Sequence, residues 1–366
     1  MAWMPVSRGR TPRGAAFDAT DEWAAAMSRV ILRSYRLGKD ALAMADLAEA
    51  AYVEDYARMD RSARAEMERE RRLEMVLRLA RIVFPPLRDA GRGLVYECDR
   101  AIASAVMFTR DGLAGDRWTI DTVATHPDHQ RRGLARRLLA AALDEIARRG
   151  GRSCMLKVRE DNAPAYHMYR GAGFTQFDTT VHLKRETVPG SRACVLEGYR
   201  LRELTLKQWY GSWRERLDLA RRETPKAVQS ISPIAASRFR KSRFVRLLAP
   251  LAIRMAAMSM HHWAVEHQEG LVATLAVRGD VTGNRNHEID LVIDPEHEEA
   301  LAGSLLDLGL SALVSQPHAS TLVETRSTNE HVLAELAQRE FSVMSTWHWL
   351  GREIEPPGRS AREVRG

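Results

Sequence analysis

The chain has 366 residues and a formal net charge of +7, and 45% of its residues are hydrophobic and 28% charged. This length suits two domains, and no apolar run approaches the roughly 18 residues that a membrane-spanning helix needs, which argues against an integral membrane protein. Arg is spread over helical segments together with Glu and Asp, so the positive charge predicts solvated helix faces and no general attraction to an anionic partner.

Compartment and redox state follow from the N-terminus and the cysteines. The first residues contain no apolar core of the kind found in secretory signals, so we expect a flexible extension and a cytoplasmic protein. Cys98, Cys154 and Cys194 share no metal-ligand spacing and lie in or beside apolar runs. We therefore expect buried free thiols, no disulfide and no metal site.

The first half of the chain predicts a regular order of elements. A strand, a Gly-Lys-Asp turn and a helix are followed by two alternating apolar strands, then a strand that ends in Pro and a helix. A further strand, a short helix opened by Asn and a last strand complete the series. The segments are 30–52, 93–99, 101–109, 118–127, 130–149, 153–160, 162–173 and 174–186.

The second half repeats this order. Its corresponding segments are 195–213, 261–267, 270–278, 287–295, 296–313, 321–327, 329–340 and 341–353. The interval from Asn162 to Phe174 equals that from Asn329 to Phe341. We therefore predict a duplicated α+β unit, each copy with a mixed, mostly antiparallel central sheet flanked by helices.

Domain boundaries follow from this repeat and from the Pro- and Gly-containing stretch near residue 190. We predict an extension over 1–27, a first unit over 28–188, a linker over 189–194, a second unit over 195–355 and a tail over 356–366.

The stretch from Gln130 to Arg136 joins the Pro-ended strand to a helix. The N-terminus of a helix presents unpaired backbone N–H groups and the positive end of its dipole, which together hold phosphate. Gly133 lets an oxyanion approach the backbone closely, and Arg131, Arg132 and Arg136 add positive charge. Taken alone, the same residues are also compatible with an ordinary solvated helix start.

Two motifs in this half resemble the GNAT superfamily of N-acetyltransferases. The strand V-A-T-H-P (123–127) with the loop Q-R-R-G-L-A (130–135) is similar to the first family motif, and N-A-P-A-Y-H-M-Y-R-G-A-G-F (162–174) is similar to the second. The resemblance covers 28–186 well and 195–355 in outline only. It implies two tandem units of the three-layer GNAT fold, the second of them degenerate.

The resemblance also implies acetyl-CoA as cosubstrate and a role for each motif residue. The implied contacts to the thioester and pantetheine come from Val123, Ala124 and Thr125, those to the pyrophosphate from Arg131, Arg132, Gly133, Leu134, Ala135 and Arg136, and a further pantetheine contact from Asn162. Tyr169 would lie near the sulfur and protonate the leaving thiolate. The alternative for Tyr169 is a helix residue half-buried against the sheet.

The general base is open. Some relatives carry a Glu five residues before the motif Asn, where this chain has Lys157, which does not accept a proton when charged. Asp121 stands two residues before Val123, so strand alternation predicts that both point to one face, and we take Asp121 as the leading base. His126 fits a turn residue beside Pro127 better than a base, and Glu160 or Asp161 could act through a water.

The second copy has lost the features that would bind CoA. Alignment on the two prolines places Glu299 opposite Arg131, Ala300 opposite Arg132 and Leu301 opposite Gly133, and alignment on the Asn residues places Leu336 opposite Tyr169 and Glu340 opposite Gly173. Together with Glu298, these substitutions would repel a pyrophosphate, crowd its approach and remove the proton donor.

The function that the resemblance implies is acetyl transfer to a primary amine by direct attack on the thioester. A small-molecule acceptor is the first hypothesis, and a protein or peptide amine is the second. A noncatalytic CoA-binding sensor or scaffold would keep the loop and need neither Tyr169 nor Asp121. The basic stretch Ser237 to Arg246, with Phe239 and Phe244, could stack on bases, but no nucleic-acid module surrounds it. The sequence is also compatible with a homodimer.

Overall fold

A computed structural model describes residues 30–52, 92–99, 101–111, 115–186, 196–268 and 270–355. The predicted N-terminal extension, linker and tail, together with Cys194, lie outside the described residues. Of the other two predicted thiols, Cys154 is buried as expected, whereas Cys98 at a strand end is only partly buried.

The first unit contains its predicted elements in the predicted order. Their bounds are β1 Val30–Ser34, α1 Leu37–Ala51, β2 Arg92–Cys98, β3 Ala101–Arg110, β4 Arg117–Thr125, α2 Leu134–Arg148, β5 Ser153–Arg159, α3 Ala163–Gly171 and β6 Thr175–Arg185. Helix α2 begins at Leu134, not at Gln130 as predicted, because Arg131 and Gly133 adopt left-handed backbone conformations that a helix does not allow.

The second unit has the same plan with several helices between its first two strands. The bounds are β7 Arg200–Glu203, α4 Leu206–Gly211, α5 Trp213–Glu223, α6 Lys226–Ile231, α7 Arg243–Met255, β8 Met258–His267, β9 Gly270–Asp280, β10 His287–Ile293, α8 Glu298–Ser311, β11 Thr321–Arg326, α9 Glu330–Gln338 and β12 Ser342–Glu353. Within the described ranges, no helix is long and apolar enough to cross a membrane.

The described strands form one sheet in which the two units exchange their last strands. The order is β1-β2-β3-β4-β5-β12-β6-β11-β10-β9-β8-β7. Strand β12 of the second unit lies antiparallel between β5 and β6, and β6 of the first unit pairs in turn with β11. Each unit is mostly antiparallel, with one parallel pair, β4 with β5 and β10 with β11. The sequence predicted two similar units and did not predict this exchange.

Helices cover both faces of the sheet. On one face of the first unit, α2 and α3 pack over a core that includes Phe108, Trp118 and Tyr169. We call this the α2 face. On the opposite face, α1 packs over a smaller core that includes Met44 and Ala105, and we call this the α1 face. In the second unit, α8 and α9 cover the largest core, which includes Leu183 contributed by the exchanged strand β6.

Candidate active site

A gap opens between two neighbouring strands in the middle of the first unit. Parallel pairing of β4 with β5 runs only from Arg117 opposite Ser153 to Ile120 opposite Leu156. Beyond that point β4 pairs only with β3, so the edge of Val123 to Thr125 that faces the gap has no partner strand. The Val123 carbonyl accepts a hydrogen bond from the Tyr52 hydroxyl at 2.7 Å, and the Thr125 carbonyl accepts one from the Gln130 amide at 3.3 Å. Ala124 is buried against α1.

A basic loop and a free helix N-terminus stand at the end of this gap. The first helical hydrogen bond of α2 runs from the Arg137 N–H to the Gly133 carbonyl at 3.1 Å. The N–H groups of the first turn, those of Leu134, Ala135 and Arg136, therefore have no helical partner. No side chain caps this end, and no acidic residue lies in its first turn. The arrangement suits an anionic ligand.

Gly133 is needed for its backbone conformation. Its φ is +73°, and a Cβ added there would meet no atom within 4 Å. The space beside the loop is thus open, and glycine is favoured because the left-handed conformation strains any L side chain. Arg131, Arg132 and Arg136 are exposed around the same point, while the Leu134 side chain is buried and anchors the helix.

Asn162 begins helix α3, beyond the end of β5. Its side-chain oxygen accepts the Ala165 N–H at 3.2 Å and so caps the helix. The residue is exposed, and its amide nitrogen stays available for a ligand. Asn162 therefore has a structural role that does not compete with the predicted pantetheine contact.

Tyr169 lies on the buried side of α3. Its side chain is only 6% exposed, and its ring meets that of Phe174 edge-on at 6.1 Å. Burial raises the pKa of the Tyr169 hydroxyl, so the group stays protonated at neutral pH. Among the described residues this hydroxyl has no hydrogen-bond partner. A buried, protonated and unpartnered hydroxyl has the properties that a proton donor needs.

Asp121 does not share a face with Val123, and that prediction is wrong. Strand β4 has a bulge at Asp121, because Ile120 pairs with Phe108 while the next paired residue, Thr122, lies opposite Met107. The extra residue reverses the alternation. Asp121 therefore lies on the α1 face, where it accepts the Thr109 hydroxyl at 2.9 Å.

The environment of Asp121 suits a base. The side chain keeps an exposed side, yet the surrounding protein reduces the hydration of its carboxylate and raises its pKa, against the opposing effect of the Thr109 hydrogen bond. A carboxylate with a raised pKa binds a proton more readily than an ordinary aspartate does.

Lys157 lies on β5, next to the strand of Asp121, and on the same face of the sheet as Asp121. It also contacts the exchanged strand β12. Its ammonium lies 5.2 Å from the Trp347 ring centre and 5.6 Å from that of Trp349, within the range of cation–π attraction. Both tryptophans belong to β12 of the second unit. Sequence reasoning missed them, because nothing local shows that β12 pairs with β5.

The other candidate bases are engaged elsewhere. The His126 Nδ1 accepts the Asp128 N–H at 3.3 Å in the turn after β4, as a turn residue would. Asp161 pairs with Arg159. Glu160 lies 4.0 Å from His348 on the rim of the site.

Comparison with known proteins matches part of the first unit to a family. Residues 51–174 match the Acetyltransferase (GNAT) family model. The first unit belongs to the GNAT family. Its motif loop, strand gap and helix α3 all fall within the matched range.

Individual relatives agree at lower coverage. The chain is 41% identical over 61 residues to the ribosomal protein bS18-alanine N-acetyltransferase of Escherichia coli K12, and the match covers 17% of this chain and 41% of that protein. It is 32% identical over 114 residues to the mycothiol acetyltransferase of Clavibacter sepedonicus, a match over 26% of this chain and 38% of that protein. The chain thus spans less than half the length of these relatives.

A solved structure matches the whole architecture. A tandem GNAT protein from the clavulanic acid biosynthesis pathway superposes with a TM-score of 0.59 at 16% identity, covering 90% of this chain and all of that one. At this identity the likeness shows the fold alone. It supports two tandem units of the GNAT fold in one chain.

The second unit lacks the phosphate loop altogether. Helix α8 begins at Glu298, directly after the turn Pro295–His297, whereas in the first unit residues 130–133 separate the turn from the helix. Glu298 and Glu299 occupy the first turn of α8, and Glu298 accepts the Val332 N–H at 3.1 Å.

One residue of the second unit has a role that differs from the alignment, and two agree with it. Leu301 is fully buried on the inner side of α8 and supports the core, so the prediction that it crowds a ligand is wrong. Leu336 is fully buried where the first unit has Tyr169. Glu340 has a φ of +61°, and Gly173 at the equivalent helix end has a φ of +84°.

A second gap, without a phosphate loop, persists between β10 and β11. Their pairing ends at Ile289 opposite Val323. The residues that follow the last pair are Asp290 on β10 and Glu324 on β11. Asp121 and Lys157 hold the equivalent positions in the first unit. Glu324 stands five residues before Asn329, the spacing at which some GNAT relatives carry a Glu. The His182 imidazole, whose Nε2 lies 3.4 Å from a Glu324 carboxylate oxygen, lowers the pKa of Glu324 to about 2, whereas desolvation raises that of Asp290.

Proposed function

We propose that the protein is a cytoplasmic N-acetyltransferase that uses acetyl-CoA and has one working site, in its first GNAT unit. The observation that carries the proposal is the conjunction of a free, uncapped α2 N-terminus with an open strand gap beside it. The second unit has a gap but no phosphate loop, which supports one site per chain.

The residues present fit CoA. The N–H groups of Leu134, Ala135 and Arg136 offer a cradle for a pyrophosphate, and the exposed arginines of the loop add the opposite charge. The open edge of β4 at Val123 to Thr125 offers backbone groups to an extended pantetheine arm. Acetyl-CoA supplies the thioester that is to be attacked.

Asp121 and Tyr169 lie on opposite faces of the sheet, and the gap between β4 and β5 connects those faces. In the proposed reaction the amine approaches from the α1 face and gives up its proton to Asp121. The new carbon–nitrogen bond forms as the carbon–sulfur bond breaks. Tyr169, on the α2 face, donates its proton to the departing thiolate, and exchange with solvent restores both groups.

The acceptor is proposed to be a primary amine on a small molecule. Strand β12 of the second unit places Trp347 and Trp349 against Lys157 on the face from which the amine would arrive. The two tryptophan rings narrow the site on the α1 face and offer an apolar surface to the acceptor. Lys157, in place of the Glu of some relatives, argues against a simple carry-over of their mechanism. The relative named for a ribosomal protein keeps a protein or peptide amine as the alternative.

A panel of amine classes tests the activity. The full-length protein is incubated with acetyl-CoA and each amine, and release of free thiol is recorded. On the best acceptor, Tyr169→Phe should lower turnover by about 100- to 10,000-fold, the effect of losing a general acid, and leave CoA affinity almost unchanged.

Tyr166→Phe is the matched control. It removes a hydroxyl from the same helix, one that donates to the Gln176 side chain at 3.0 Å. This variant should keep its turnover. Full activity of Tyr169→Phe would refute the donor role, and CoA binding without turnover on any amine would favour a sensor or scaffold.

A further inference from the structure

Helix α7 of the second unit presents its apolar side to solvent, whereas an ordinary surface helix turns that side toward the protein. Its contact with the protein runs through Arg246, Ala249 and Ile253, which are half-buried, and none of its residues is fully buried. Apolar residues at helical spacing face solvent instead. Their exposures are Phe244 49%, Leu247 75%, Leu248 41%, Leu251 56% and Met255 79%.

This exposed apolar stripe lies in a strongly basic stretch. From Thr224 to Val265 the sequence has no Asp or Glu, and its basic residues are Lys226, Arg238, Arg240, Lys241, Arg243, Arg246 and Arg254. On a helical wheel Arg243 and Arg254 border the stripe along one edge, and both are exposed. A contiguous apolar face of this kind marks an interaction site, because its exposure to water is unfavourable.

We propose that the exposed face of α7 docks on an anionic lipid surface. A short amphipathic helix with Leu, Phe and Met on one side and arginines beside them lies in the plane of a bilayer interface, with its apolar side among the acyl chains. The arginines then meet the lipid phosphates. With 13 residues, α7 is too short to span the bilayer and lies on it.

Other occupants fit this face less well. A symmetric contact between two copies would bring two arginine-bordered, acid-free surfaces together, which is electrostatically unfavourable. Nucleic acid would meet the arginines but would leave the leucines unmatched. Moreover, Phe239 and Arg240 already contact Arg216 and Trp213 within the chain, so Phe239 is not free to stack on a base.

Vesicle flotation with the full-length protein tests the proposal. One set of vesicles contains phosphatidylcholine with about one third phosphatidylserine, and the other contains phosphatidylcholine alone. The protein should float with the anionic vesicles. Leu247→Glu should lower the partition coefficient more than tenfold, because each buried methylene contributes about fourfold.

The electrostatic part has its own variant. Arg243→Gln combined with Arg254→Gln should lower anionic-vesicle binding about 25-fold, since each charge near such a surface contributes about fivefold. Val314→Glu is the matched control for Leu247→Glu, because Val314 is also an exposed apolar residue, 49% exposed, and lies outside α7. It should bind as the unaltered protein does.

Three results would overturn the proposal. The first is no flotation of the unaltered protein, or flotation that Leu247→Glu leaves unchanged. The second is a protein that does not bind vesicles and sediments as a dimer that Leu247→Glu dissociates. This result would assign the face to a second copy. The third is a protein that binds duplex DNA but not vesicles, keeps this binding in Leu247→Glu and loses it when both arginines are replaced. This result would assign the face to nucleic acid.

Discussion

Replacement of Gly133 by Glu tests the phosphate loop directly. A Cβ at this position meets no atom within 4 Å, so the effect of the substitution comes from backbone strain and charge and not from a clash. The left-handed φ of +73° costs an L residue about 1 kcal/mol. A carboxylate about 5 Å from a phosphate costs about 3 kcal/mol at an effective dielectric constant near 20.

These two costs sum to about 4 kcal/mol, which corresponds to roughly a thousandfold loss of CoA affinity. Gly133→Ala carries the strain alone and should lose at most about fivefold. Titration calorimetry of CoA into the full-length protein measures both variants and should give one site per chain.

Gly211→Glu is the matched control. Gly211, at the end of α4 in the second unit, also has open space around an added Cβ and no left-handed φ. Its variant should bind CoA as the unaltered protein does. A Gly133→Glu protein that binds CoA within about threefold of normal, or two CoA molecules per chain, would refute the assignment of the loop.

Three further predictions follow from the structure. Leu301→Ala should lower the free energy of unfolding by about 2–5 kcal/mol because Leu301 is fully buried, without changing CoA stoichiometry; an unchanged denaturation midpoint would contradict its place in the core. Asp121→Asn should stabilise the protein at neutral pH. The raised pKa of Asp121 means that the folded state holds the proton more tightly than the unfolded state, so stability falls as pH rises through the ordinary carboxyl range and a neutral Asn avoids that loss. The same variant should remove the acidic limb of the kcat/KM–pH profile, and a profile identical to that of the unaltered enzyme would exclude Asp121 as the base. Deleting residues 342–355 should abolish cooperative unfolding of both units, measured by circular dichroism, because β5 and β6 lose the strand they share; a first unit that still melts sharply would argue against the exchange.

The loop and the repeat were predictable because their signals are local. A left-handed glycine before a helix, Arg residues around it and an Asn that caps the next helix all act within a few residues of each other. The order of strands and helices in both units therefore agreed with the sequence pattern.

The face of Asp121 and the neighbours of Lys157 were not predictable, for different reasons. The bulge adds one residue to β4 without changing the residue types around it, so period-two alternation gives the wrong side for Asp121. Strands β6 and β12 have similar patterns, and no local feature decides which of the two lies next to β5. Trp347 and Trp349 could therefore not be assigned to the site from the sequence. The role of Leu301 was also misjudged, because sequence alignment on the prolines hides the four-residue loop present only in the first unit.

The exchange of β6 and β12 has an evolutionary consequence. A gene that lost its second half would encode a first unit with a bare β5 edge and an orphaned β6, both exposed to aggregation. Splitting the gene, or replacing its second half by an unrelated domain, would likewise leave β5 and β6 without the strand between them. The second unit therefore supplies a strand that the sheet of the first unit requires, whether or not it binds a ligand of its own.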